Sequence, residues 1–136
     1  MLNVRKATEK DNPQILKLLK EIDLYYDGLK LKNFWVVEKE GKIIGTVQLE
    51  EIGDFVFLGS LGVDPEEQRK GIAERMLNIA TKDIKKPIYL YTIIPEFFKK
   101  HGFQIVPPIS GLPSKARYQC EFCHSDQCVT MVKYPR

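Results

Sequence analysis

The chain has no apolar run approaching ~18 residues and no apolar segment behind a basic start, which argues against a membrane-spanning helix and a secretory leader. It has only three cysteines, Cys120, Cys123 and Cys128, crowded near the end. An odd number so clustered does not make the framework that staples small extracellular domains. A cytoplasmic protein is the expectation. Charge of one sign is lacking as well. The net charge is +3, and the basic residues are scattered apart from Lys82-Asp-Ile-Lys-Lys86 and the near pair Lys30 and Lys32. No basic stripe with interleaved aromatics argues for nucleic acid. No internal repeat, low-complexity linker or compositional break divides the chain. The expectation is one domain, residues 1–136, with a cysteine-containing C-terminal segment, 112–136.

What is present is an ordinary globular composition: hydrophobic residues make up 43%, enough for a normal core. Leu2–Lys6 reads as a first strand. Asn12 is placed as an N-cap with Pro13 at the first helical position, and Ile15, Leu18, Leu19 and Ile22 recur at helical spacing over about 13–22. Residues 23–33 read as a loop or short helix broken at Gly28. Phe34–Lys39 and Ile43–Glu50 read as strands joined through a Glu40-Gly41-Lys42 turn. A third, Phe55–Val63, follows Gly53-Asp54. The remaining order is helix, strand (Ile88–Thr92), helix and a last strand (Val129–Lys133). That sequence of elements is mixed α+β.

The stretch Leu58-Gly-Ser-Leu-Gly-Val-Asp-Pro-Glu-Glu-Gln-Arg-Lys-Gly-Ile-Ala73 carries the chemistry. An apolar strand interrupted by Gly59 and Gly62 runs into a proline turn. Gln68-x-x-Gly71-x-Ala73 then opens a helix with Ile72, Met76, Leu77, Ile79 and Ala80 expected on one face. The first turn of a helix has backbone N–H groups with no intrahelical partner, and the helix dipole adds positive charge there. Small residues at Gly71 and Ala73 admit a diphosphate to that backbone, and Arg69 and Lys70 add cationic donors. Glycine within a strand marks a bulge or a close backbone approach.

In this context Gln68-x-x-Gly71-x-Ala73 resembles the acetyl-CoA signature of the GNAT superfamily of N-acetyltransferases. Pro95-Glu-Phe-Phe-Lys-Lys-His-Gly-Phe103 after the strand Ile88–Thr92 is also similar to that family. The resemblance implies a central, mostly antiparallel sheet, splayed at a bulged strand, with helices on both faces. It implies that acetyl-CoA is the cofactor. The backbones of Leu61, Gly62 and Val63 would take its pantetheine arm, and Gln68, Arg69, Lys70, Gly71, Ile72 and Ala73 its pyrophosphate. Thr92 and Phe98 would lie on the cofactor side. The reaction implied is direct attack of an amine on the acetyl thioester. An amine arriving as ammonium must first lose a proton. The Val63 N–H is the candidate oxyanion donor. Glu51 is the chosen base, among Glu50, Glu51 and Asp54. Many relatives carry a tyrosine in the later helix to protonate the thiolate. This chain has Phe97 and Phe98 there, so Tyr91 or water would take that role.

Thr92-x-x-Pro-Glu-Phe-Phe-x-Lys-His-Gly-Phe103, the cysteine-bearing tail with Met131-Val-Lys133, and Arg5 before Thr8-x-x-Asp11 are similar to single-domain N-acetylglutamate synthases and their relatives. That resemblance implies an amino acid such as glutamate as acceptor, a small-molecule partner, with a homodimer left open. Carboxylates of the acceptor need cationic forks, for which Arg5, Lys30, Lys32, Lys115 and Arg117 are available. Two other functions stay open: a protein N-acetyltransferase, with the 24–33 loop deciding, and a cofactor-binding sensor without chemistry. The cysteines leave free thiols, a disulfide or a zinc site open; no metal is assigned.

Overall fold

A computed structural model describes residues 2–115 and 128–135. Among the described residues, seven strands form one sheet: β1 (Leu2–Lys6), β2 (Phe34–Lys39), β3 (Lys42–Ile52), β4 (Phe55–Val63), β5 (Ile88–Thr92), β6 (Gln104–Val106) and β7 (Val129–Lys133). Their order across the sheet is β1-β2-β3-β4-β5-β7-β6. Among the described residues only the central β4–β5 pair is parallel. The helices are α1 (Asn12–Glu21), α2 (Ile72–Thr81) and α3 (Pro95–Lys99).

Strand alternation explains the layers. On β2, Phe34 and Val36 join Ile43 and α1's Ile15, Leu18 and Leu19 in one buried cluster. Val37, on the other face, joins Ile44, Val47, Leu58, Leu90, Phe98 and α2's Met76, Leu77 and Ala80. Successive strand residues point to opposite faces, so the sheet carries α1 on one side and α2 with α3 on the other. Met76 and Leu77 are fully buried, worth roughly 1.5–3 kcal/mol each against exposure. Ile79 departs from the expected apolar face and is exposed. It lies three residues past Met76, at the rim of the stripe rather than its centre.

One boundary also shifts and one strand is added. The helical run begins earlier than Asn12. A single 3-10 turn at Glu9–Asp11 precedes α1, and Thr8 with Asp11 forms a reciprocal capping box at its start. The three-residue strand β6, cut short by Pro107, is an addition to the expected elements. The hairpin between β2 and β3 turns through Glu40 and Gly41 at φ 51° and 80°. Positive φ at both central positions gives the twist that joins antiparallel strands tightly.

The central pair positions the site. β4 and β5 are in register at Val56–Ile88 and Phe57–Tyr89 and no further. Beyond those residues β4 stays paired with β3, while β5 stays paired with β7. The sheet is therefore split along its middle, closed near Val56 and open near Val63. β4 also bulges. Thr46 faces Gly62 and Gln48 faces Gly59, so Val47 alone opposes both Ser60 and Leu61.

Candidate active site

The open end of the split holds a cleft of about 310 Å³. Leu61, Gly62 and Val63 of β4 form one wall, Ile94 and Phe97 the facing wall, and Glu67, Gln68, Arg69 and Gly71 to Glu74 the floor at the start of α2. Of the residues expected to take a cofactor, Leu61, Gly62, Val63, Gln68, Arg69, Gly71, Ile72 and Ala73 line this one space.

Backbone geometry suits an anion at the floor. Gly71 sits at φ 76° as the N-cap of α2, and its carbonyl accepts the Arg75 N–H at 3.1 Å, the first intrahelical bond. The amides of Ile72, Ala73 and Glu74 precede that bond and are helix-start donors. A side chain at Gly71 would meet nothing within 4 Å, so the space above these amides is open. Arg69 is also left-handed, at φ 67°. Glu67 brings a carboxylate to the cleft, but Lys39 at 3.1 Å and Lys70 at 3.0 Å neutralise it. The bonds from Lys70 and then Lys39 hold its pKa below the usual carboxylate range. Lys70 is thus paired with Glu67 and does not line the cleft.

The wall is prepared in a different way. The Asp64 N–H donates to the Ile44 carbonyl at 2.8 Å. That makes Gly45–Val63 a pair of the non-hydrogen-bonded kind, and the Val63 N–H and C=O point away from β3 into the split. The Val63 carbonyl accepts Gln68 Nε2 at 3.1 Å there, tying the floor to the wall. Gly62 is small for a reason on its other side. A Cβ there would collide with Ile22 Cδ1 and come within 2.8 Å of Leu24 Cδ1, so the segment after α1 lies directly on β4.

Other expected site residues sit elsewhere. Phe98 is core, buried against Phe103 and Leu90, and its neighbour Phe97 faces the cleft instead. Five residues of helix offer too little periodicity to choose between adjacent rings. Thr92 Oγ1 accepts the Ile94 N–H at 2.9 Å, shaping the turn into α3 rather than lining the cleft. Tyr91 packs edge-on to Phe57 at 5.0 Å between ring centroids, on the α1 face, and its hydroxyl donates to the Pro113 carbonyl. Burial pushes that phenol's pKa up. Lys115 lies over the same ring at 5.3 Å and donates to the Cys128 carbonyl at 2.6 Å, spanning the ends of the 116–127 segment. Tyr91 is thus tied to the Pro113–Lys115 stretch. Glu51 lines a groove on the α2 face with Lys32, Trp35 and Ile79, and it is exposed. Its strand position faces Val56, at the closed end of the split. Five residues of extended chain, roughly 16 Å, separate Val56 from Leu61. Glu50, one residue earlier, lies on the opposite face, opposite Phe57 and two places from Gln48. Lys30 is exposed in the loop before β2. Arg117, Cys120 and Cys123 lie outside the described residues, and His124 with them. Among the described residues no cluster of metal-ligating side chains occurs.

Arg5 is a correction. It was expected to fork a substrate carboxylate, but two internal carboxylates take its donors. Asp11 accepts at 2.7 and 2.9 Å and Glu38 at 2.6 and 3.2 Å. Those bonds hold the guanidinium pKa above its usual value and lower Asp11 from 3.8 to about 2, chiefly through Arg5. Asp11 is buried, so Arg5→Leu strands a carboxylate. The expected loss is about 2 kcal/mol in urea unfolding at neutral pH, with Arg5 itself partly exposed. The folded pKa lies below the unfolded one, so the stabilisation is complete above about pH 4 and fades as pH falls toward 2. The variant should lose less stability than the parent between those values. Unchanged urea midpoints would show the cluster to be idle.

Two signals were missed. Ile94 and Phe97 line the cleft, and the exposed apolar pair Ile93-Ile94 before Pro95 was their trace in the sequence. Thr46 and Gln48 are buried polar residues within the apolar stretch Ile43–Leu49 of β3, and that interruption of the pattern was legible.

Residues 30–105 match the family model described as an acetyltransferase (GNAT) domain. The chain is 29% identical over 141 residues to an amino-acid acetyltransferase of Mycobacterium tuberculosis, spanning 90% of this chain and 78% of that one. Among solved structures it is similar to N-acetylglutamate synthase from Neisseria gonorrhoeae complexed with coenzyme A and L-arginine (TM-score 0.77, 21% identity, 99% of this chain). It spans only 33% of that larger chain. It is also similar to Rv2747 from Mycobacterium tuberculosis in complex with CoA and NLQ (TM-score 0.73, 21% identity, 98% of this chain and 99% of that one). The two structural likenesses speak for the fold.

Proposed function

The chain belongs to the GNAT acetyltransferase family, and from that premise we propose that it acetylates the amino group of a free amino acid, glutamate or a close analogue. As a member of that family it is an acetyl-CoA-dependent N-acetyltransferase. The observation that carries the reading is the split itself: β4 leaves β5 after two paired residues, and the cleft begins where the pairing ends. The amides of Ile72 and Ala73, with Arg69 beside them, form a site for the diphosphate. The outward N–H of Val63 and the apolar wall of Ile94 and Phe97 suit an extended arm that carries amides and methylenes. When bound there, acetyl-CoA supplies the acetyl thioester.

The remaining chemistry falls to this chain's side chains. An incoming amine must be neutral to attack, so a carboxylate must accept its proton directly or through water. Glu50, on the face shared with Gln48 and Phe57, is better placed than Glu51. The leaving thiolate draws its proton from water, because Phe97 and Phe98 have none to give and Tyr91 spends its own on Pro113. With Arg5 occupied and Lys32 on the opposite face, Lys30 and Arg117 remain as the cations for the acceptor carboxylate. An amino-acid acceptor also agrees with the similarity to the mycobacterial amino-acid acetyltransferase over 90% of the chain.

Coenzyme A thiol release should be followed with acetyl-CoA and a panel of free amino acids, short peptides and polyamines. The expected result is release at least about tenfold faster with one amino acid than with any peptide bearing it at its N-terminus. Release with peptides alone would make this a protein acetyltransferase. Tight acetyl-CoA binding with no release to any amine would make it a sensor.

A further inference from the structure

Ser60 is the extra residue of the β4 bulge, and it sits at φ 52°, a left-handed conformation unusual for a side-chain-bearing residue. Something must hold it there. Thr46 and Gln48 flank Val47, the single residue that opposes the bulge. Thr46 Oγ1 donates to the Ser60 carbonyl at 2.9 Å. Ser60 Oγ donates to Gln48 Oε1 at 3.4 Å, and the Tyr26 hydroxyl donates to the same oxygen at 2.9 Å. Thr46, Gln48 and Tyr26 are all buried, at 0%, 3% and 2% exposure, so water does not compete for these bonds. Buried polar groups fix a geometry because leaving any of them unpaired is costly. Tyr26 comes from the segment after α1, which also rests Ile22 and Leu24 on Gly62. One glutamine oxygen therefore joins the bulge to the segment that covers it.

We propose that Gln48 and Thr46 are positioning residues for acetyl transfer. They lock Ser60 in its left-handed turn, and the turn sets the direction of the Leu61–Val63 backbone along the cleft. Tyr26 fastens the covering segment to the same point. This rests on the acetyltransferase reading but not on the identity of the acceptor. The device acts on the geometry of transfer and not on the diphosphate floor, which is built from Gln68 to Ala73. Loss of the clamp should therefore lower kcat far more than it weakens acetyl-CoA binding, because the wall shifts while the donors of the floor stay.

The test uses Thr46→Val, Gln48→Leu and Tyr26→Phe, with Thr46→Val also combined with Ser60→Gly. Glycine takes positive φ without strain, so it removes the need for a clamp. With the best amine from the panel, Thr46→Val and Gln48→Leu are expected to lower kcat about tenfold or more. Acetyl-CoA Kd should stay within about twofold. Ser60→Gly should return Thr46→Val to within about threefold of the parent. Tyr26→Phe should lower kcat less, because the bulge keeps its other bonds. A second readout needs no acceptor: in the coenzyme A complex, exchange of the 61–63 amides should quicken about tenfold in Thr46→Val, with the β1–β2 amides unchanged. Unchanged kcat and exchange would overturn the proposal. So would a loss that Ser60→Gly does not repair, or one matched by equal losses of Kd and thermal stability. Failure of the acceptor reading shows separately, as a parent enzyme silent toward every free amino acid.

Discussion

Gly71→Asp is expected to weaken acetyl-CoA binding about 100-fold or more and to leave the fold in place. The two halves of that expectation have one cause. Gly71 is left-handed at φ 76°, where aspartate is among the better tolerated side chains. A Cβ there meets nothing within 4 Å, so no packing is disturbed. An aspartate here carries the strain of a side chain at positive φ, offset in part because its carboxylate gains from the amides and dipole of α2. The helix is satisfied by the substitution, and the diphosphate loses for the same reason: the carboxylate occupies the donors it needs and repels it as well. Gly71→Asn separates the terms, since it caps the amides without the charge and should cost less than aspartate. Calorimetric titration with acetyl-CoA, alongside thermal unfolding, reads both variants. Parental affinity in Gly71→Asp would remove the diphosphate from this turn, and the cleft would need another occupant.

The floor of the cleft was legible because its chemistry depends on backbone and small residues, which a sequence states directly. Gly71 and Ala73 at the mouth of an amphipathic helix imply open amides whatever surrounds them. The split was legible only through resemblance. Nothing in Phe55–Val63 or Ile88–Thr92 says that pairing stops after Phe57 and Tyr89; the bulge and the tail pairing of β7 with β5 decide that. Gly59 and Gly62 pointed at the bulge, yet the positive φ falls on Ser60 between them. Its clamp comes from β3, fourteen and twelve residues earlier at Thr46 and Gln48 and across one hairpin. Arg5 failed for a related reason. Its partner Asp11 was in view as part of Thr8-x-x-Asp11, but Glu38 reaches it only because β1 pairs with β2. A cation looks free in a sequence until the sheet supplies its second carboxylate. Phe97 and Phe98 differ only by the 100° between successive helix residues, so the sheet chose which ring became core.

These failures share a pattern that bears on function. The residues whose backbones line the cleft follow from glycines and a helix start, whereas the side chains named for chemistry, Glu51 of β3 among them, depend on which face of the sheet each strand position takes. Strand alternation has a period of two, so a one-residue error moves a side chain to the other side of the sheet. The proposed proton acceptor is where that matters most.

Glu50→Gln is expected to lower kcat/KM with the best amine about 100-fold, whereas Glu51→Gln should change it less than about twofold. β3 runs without a register shift from Gln48 to Ile52, so its faces can be read by alternation. Leu49 and Glu51 share the α2 face, where Glu51 lines a groove with Trp35 and Lys32. Gln48 and Glu50 share the other face. Gln48 is joined there to Tyr26 and Ser60 at the bulge, and Glu50 stands opposite Phe57, the last β4 residue paired with β5. A carboxylate at that point borders the start of the split on the face that carries Gln48 and its bonds to Ser60 and Tyr26. Glutamine keeps the shape and removes the proton acceptor. The expected defect is therefore one that rising pH relieves, as the fraction of amine already neutral grows, with acetyl-CoA affinity unchanged throughout. An uncharged, isosteric change that merely disturbed packing would lose activity equally at every pH. A large loss in Glu51→Gln with none in Glu50→Gln would move the proton acceptor to the α2 face and bring the amine in from the side opposite the clamp.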